Sequence, residues 1–205
     1  MRMRTGLFLI VLVPLLASAY DAKRVVADTG DVFVVEPNGT RVRVTSSGVD
    51  SEPSLSFDEK SIVFVRKLDG GNSQICIANV KAGNEARVLV RSPLDVSGRQ
   101  FNELFSPKFS PDDAMVYFLI PFAATTQAIM KVAIANPTPQ FVAAATSFWV
   151  VPHGRYRGDL VAQIRKAKLA PGYYYWYWLI TPEGKEIDVV GEDEGDVGLF
   201  LEQQE

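Results

Sequence analysis

Apolar residues in this chain come in short bursts rich in β-branched and aromatic side chains, and Gly, Pro, Asn and Asp gather in the gaps between them. That is the pattern of short strands joined by turns. From Asp31 onward no stretch keeps apolar residues at helical spacing for three turns, so the reading is all-β. Asp31-Val32-Phe33-Val34-Val35 and Arg41-Val42-Arg43-Val44-Thr45 flank Glu36-Pro37-Asn38-Gly39-Thr40. Asn-Gly is a strong hairpin signal, because both residues accept positive φ. A second hairpin runs from Tyr173 to Ile180, turns through Thr181-Pro182-Glu183-Gly184-Lys185, and returns from Glu186 to Val190.

The pattern also repeats. Pro53-Ser54-Leu55-Ser56-Phe57-Asp58-Glu59-Lys60-Ser61-Ile62-Val63-Phe64 aligns without a gap on Pro107-Lys108-Phe109-Ser110-Pro111-Asp112-Asp113-Ala114-Met115-Val116-Tyr117-Phe118, 54 residues later. Each copy continues into a third strand (Gln74 to Val80; Gln127 to Ile134) and a fourth (Arg87 to Val90; Phe141 to Ala144). Four antiparallel strands per repeat make the blade of a β-propeller. A third unit starts at Ser147 to Val151, continues at Asp159 to Ile164 and ends with the Tyr173 to Val190 hairpin. Lys23 to Thr45 reads as the last three strands of a blade, and Val197-Gly198-Leu199-Phe200-Leu201 as the inner strand it lacks. The expected fold is thus a small propeller of about four blades, the last shared by the two termini. The alternative is a partial propeller, or half of a larger ring completed by a second copy, so the chain is expected to be a monomer or a homodimer.

At Phe57-Asp58-Glu59-Lys60 and Pro111-Asp112-Asp113-Ala114 the logic is turn chemistry: Asp caps its own turn and Pro111 fixes φ at the entry. Both acids are therefore read as structural. Ser106-Pro107-Lys108-Phe109-Ser110-Pro111-Asp112-Asp113, followed by an apolar strand, resembles the PD40 (WD40-like) repeat of TolB-type propellers. Here Asp113 and Glu59 stand where that repeat usually has glycine. The resemblance covers Asp31 to Ile134 well and the remainder weakly. It implies a propeller like those of TolB and of prolyl-oligopeptidase-like peptidases, and it carries over no catalytic residue.

The first residues read as an export leader: Arg2 and Arg4, an apolar run from Gly6 to Leu16, and Ala17-Ser18-Ala19 for cleavage. Residues 1–19 are the expected signal peptide and residues 20–205 the propeller domain, periplasmic or secreted, with no stable membrane insertion after cleavage. The whole chain carries a net charge of −3, and losing the leader's two arginines makes it more acidic. Nucleic acid is therefore not an expected partner. The one cysteine, Cys76, excludes an internal disulfide and sits in a strand pattern that buries it.

No nucleophile, base and orienting group come together in the sequence, and there is no Gly-x-Ser-x-Gly elbow. His153 is the only histidine, so no multi-histidine metal site, and no cofactor, is expected. Two stretches carry candidate binding chemistry. In the loop Pro152-His153-Gly154-Arg155-Tyr156-Arg157-Gly158, the residues His153, Arg155, Tyr156 and Arg157 could receive an anionic or carbonyl-bearing ligand at the ring mouth. In Tyr173-Tyr174-Tyr175-Trp176-Tyr177-Trp178, alternate rings face opposite ways, and Tyr175, Trp176 and Trp178 could stack on sugars or apolar peptide side chains. Glu192-Asp193-Glu194-Gly195-Asp196 lacks the order of a calcium loop and reads as a solvated linker.

The expected function is that of a non-enzymatic, exported module binding an envelope or secreted protein or another ligand, with recognition in the 152–158 loop and the Asp69 to Asn72 turn. A carbohydrate-binding module using the aromatic strand is the second class, and a hydrolase or lyase on a propeller scaffold the third.

Overall fold

The computed structural model describes residues 22–81, 85–168 and 171–204. The leader therefore lies outside the described residues. Strands β1 (Arg24–Asp28), β2 (Asp31–Val35) and β3 (Arg41–Arg43) form the first sheet. The second holds β4 (Asp50–Leu55), β5 (Ser61–Lys67), β6 (Ser73–Asn79) and β7 (Arg87–Arg91). A small hairpin, β8 (Leu94–Val96) and β9 (Arg99–Phe101), leads to the third: β10 (Phe105–Phe109), β11 (Met115–Ala123), β12 (Thr126–Ala133) and β13 (Gln140–Ala145). The fourth holds β14 (Phe148–Val150), β15 (Leu160–Ala167), β16 (Tyr173–Ile180) and β17 (Glu186–Gly191), followed by helix α1 (Glu194–Glu202). Within each sheet the spatial order is the chain order and every pairing is antiparallel.

The apolar alternation of the strands produces a core in layers, one slab per seam. Val32 and Val34 meet Ile62, Phe64 and Cys76 between the first and second sheets. Val63, Val65 and Ile75 meet Phe109, Phe118 and Met130 in the next seam, and Tyr117, Leu119 and Ile129 meet Leu160, Ala162 and Ile180 in the third. Because both faces of the inner sheets are covered, Ile62 to Val65 and Val116 to Ile120 are continuously buried. Each fully buried Phe or Ile in these slabs contributes about 2 kcal/mol. This is propeller blade stacking, and the four sheets do not close into a ring.

One expectation is corrected. Val197 to Leu201 is not an inner strand: it lies in α1, so no composite blade forms and the first sheet keeps three strands among the described residues. The reason is local. Asp193 accepts from the Asp196 N–H while the Asp196 carboxylate accepts from the Asp193 N–H, a reciprocal capping box that starts a helix. Val197, Phe200 and Leu201 then fall at helical spacing and pack on Val161, Tyr177 and Leu179 of the fourth sheet. The acidic run expected to be a solvated linker is that cap.

Candidate functional site

The turns between the first and second strands of successive units converge at one mouth. In each copy of the repeated phrase a serine hydroxyl donates to the Asp two residues on: Ser56 to Asp58 at 2.8 Å and Ser110 to Asp112 at 2.5 Å. The same carboxylates accept the N–H of Lys60 and Ala114. These bonds, the hydroxyl first, hold both Asp carboxyls below their ordinary range. The acids expected to be structural are committed to their turns.

The residues in place of glycine do more. Glu59 and Asp113 both sit at positive φ, 57° and 55°, a region where non-glycine residues are uncommon. The Asp113 carboxylate reaches back one sheet and accepts the N–H groups of Phe57 and Asp58 at 2.8 and 2.9 Å. At the bulges in the inner strands, Glu52 of the second sheet accepts the Ser106 N–H of the third at 2.6 Å. Second and third sheets thus hold each other reciprocally. In the next seam Arg157 donates to the Pro111 carbonyl at 2.6 Å, and Gly184, at φ 81°, lets the β16–β17 turn press against the β13 backbone. In the first seam Glu59 faces Lys23 only at 3.7 Å.

The 152–158 loop divides. His153 and Arg157 line a groove of about 370 Å³ with Phe57, Asp58, Pro111 and Asp113, and Phe57 is 43% exposed. Arg155 and Tyr156 turn toward α1: the Arg155 guanidinium lies over the Tyr156 ring, and that ring lies 6.0 Å from Phe200. The Asp69 to Asn72 turn lies at the far end of β5, so it belongs to the opposite mouth, beside Glu52, Leu104 and Ser106.

The aromatic strand alternates as expected. Trp178 joins the third seam, with the Lys166 ammonium 3.7 Å from its ring centroid. Tyr174 and Trp176 lie together at 4.9 Å. On the opposite face Tyr177 packs against Trp149 and its hydroxyl accepts from Gln163 at 3.0 Å. Arg165 covers Tyr173 at 3.5 Å, and Tyr175 is 39% exposed. Tyr175 therefore does not share a face with Trp176 and Trp178. The Trp178 Nε1 and Arg165 Nε atoms are buried without a partner among the described residues.

Cys76 is fully buried, and desolvation pushes its thiol up to about 11, so it stays protonated near neutrality. Among the described residues no group of three or more His, Cys, Asp or Glu side chains is placed to hold a metal ion. The inter-sheet bonds of Asp113, Glu52 and Arg157 were not legible from the sequence. Of the three, only Asp113 left a trace, as an acidic residue standing in a glycine position.

No protein-family model matches this chain, and no curated protein matches it. Among solved structures it is similar to TolB from Acinetobacter baumannii, with TM-score 0.56 and 14% identity over 79% of this chain and 38% of that one. It is similar to the β-propeller domain of the Trilobed protease from Pyrococcus furiosus, with TM-score 0.52 and 12% identity over 81% of this chain and 52% of that one. The tricorn protease matches with TM-score 0.56 and 11% identity, over 82% of this chain and 15% of that one. The chain thus spans well under two thirds of these proteins, and what it shares with them is the TolB-like propeller fold. Among the described residues no helix is long and apolar enough to cross a membrane.

Proposed function

We propose that this chain is a non-enzymatic protein-interaction module of the cell envelope, exported through its leader, and that the mouth groove bearing Phe57, His153 and Arg157 recognises its partner. The observation that supports this most is the exposed Phe57 ring on a turn held by the next sheet through Asp113. An apolar anchor on a rigid scaffold, rimmed by His153 and Arg157, binds without first having to be ordered. The likeness to TolB and to propeller domains of peptidases is compatible with this reading and names no partner. In the test, the immobilised mature chain is exposed to envelope extract beside its Phe57→Ser and His153→Ala variants. One protein retained by the parent and lost by both variants is the expected result. Equal retention by all three would remove the groove from recognition.

A carbohydrate reading rests on Tyr173 and Tyr175, which are 55% and 39% exposed on the outer face of β16. A glycan that alters tryptophan fluorescence in the parent and not in Tyr175→Ala would favour it, and turnover of any substrate would favour the enzyme class instead.

A further inference from the structure

Among the described residues the second, third and fourth sheets each hold four strands and the first holds three, and the repeat identifies which position is unfilled there. The β1–β2 turn at Thr29 and Gly30 rests on the start of the next inner strand, where Asp50 N–H donates to the Gly30 carbonyl at 2.7 Å. The corresponding contact one repeat later joins the start of β6 to the chain entering β10, with Leu104 N–H donating to Ser73 Oγ. So β1 is the counterpart of β5, and the position unfilled among the described residues is the inner one. In the two-residue hairpin that joins β1 to β2, Asp28 and Asp31 are the closing pair. Alternation then turns the backbone groups of Arg24, Val26 and Asp28 toward β2, and those of Val25 and Ala27 toward the open edge. No described residue bonds to that edge.

The neighbouring sheet indicates what would fit. Glu52 holds the N–H of Ser106, and Glu52 is the counterpart of Ser106 one repeat earlier, at the same bulge and with nearly the same φ, 50° against 52°. By that symmetry the Glu52 N–H faces the position where an inner strand of the first sheet would carry an acid. The chain's own inner strand in the second sheet supplies the pattern: Glu52-Pro53-Ser54-Leu55-Ser56.

We propose that the open edge of β1 binds an extended segment of another protein by strand addition. The segment runs antiparallel to β1, as β4 runs to β5, and carries an acidic residue three positions before an apolar one. Main-chain bonds to Val25 and Ala27 would give affinity, and the acid on the Glu52 N–H would set the register. This site is separate from the mouth groove and does not depend on it.

The test uses the full mature chain and a synthetic peptide copying residues 49–57, with amide hydrogen exchange as the readout. At saturation the peptide is expected to slow exchange at Val25 and Ala27 at least tenfold. A peptide with alanine in place of the glutamate should bind about tenfold more weakly. Ala27→Pro removes an edge donor and spares the β1–β2 ladder, so it should abolish binding with the thermal transition retained. Protection elsewhere than β1 and the Glu52 amide, or binding that survives Ala27→Pro, would overturn the proposal. Protection of β1 that rises with protein concentration and without peptide would assign the edge to a second copy of this chain, and would overturn it too.

Discussion

On the outer face of the first sheet, Arg41 pairs with Asp28 at 3.0 Å and lies over the Phe33 ring, while Arg43 pairs with Asp31 at 2.5 Å. On the outer face of the fourth, Val161, Tyr177 and Leu179 are buried under Val197, Phe200 and Leu201 of α1. Both faces are places where a closed propeller would stack another blade. One is tolerated in water because its polar groups are paired and its ring is shielded. The other is apolar and needs a cover. Of the two, only the helix cover removes much apolar surface from water.

The comparison is broken most forcefully at α1. Val197 is 2% exposed, so Val197→Asp puts a charge into the seam and should cost roughly 3 kcal/mol or more, read from urea unfolding. A change under about 1 kcal/mol would mean that α1 does not cap the sheet. Next comes the inter-sheet bond at the mouth. Asp113→Gly relieves the positive φ but loses two bonds to a carboxylate, for an expected net loss of about 2 kcal/mol, whereas Glu59→Gly at the looser first seam should change stability by at most about 0.5 kcal/mol. Equal effects of the two changes would show that Asp113 holds nothing.

A smaller effect is expected in acid. The carboxyls of Asp58 and Asp112 are held below their unfolded range, so their contribution is present above about pH 4 and is lost as pH falls through the lowered folded values. Asp112→Asn should therefore flatten the acid side of the stability curve, and a curve parallel to the parent's would remove Asp112 from it. The smallest expected change is Arg41→Gln on the exposed first face, within about 0.5 kcal/mol by thermal melting. A loss above 1 kcal/mol would mean that this face depends on its ion pairs more than its exposure implies.

Blade architecture was legible because it is written twice: the aligned phrase, the Asn-Gly turn and the period-two runs act locally and agree with one another. The third unit lacks that phrase and is legible only from its short apolar runs and the Tyr173 to Val190 hairpin. One element escapes the sequence and another is mistaken in it. Leu94 to Phe101 carries a Ser97-Gly98 hairpin turn, and both residues have positive φ, but its strands are only three residues long. Val197 to Leu201 is a short apolar run that fits a strand or a helix equally, and only the Asp193–Asp196 pair just before it decides between them. The mouth groove was half visible, since loop composition flagged His153 and Arg157 but could not tell that Arg155 and Tyr156 would turn to α1. Contacts across a seam depend on how sheets meet, which no local pattern encodes.

Sedimentation of the mature chain beside a version ending at Gly191 tests the capped, open stack most directly. The intact chain should run as a single-chain species across concentration, and the shortened one should associate as Val161, Tyr177 and Leu179 are uncovered. Association of the intact chain into a closed pair, or a shortened chain that remains monomeric and equally stable, would contradict it.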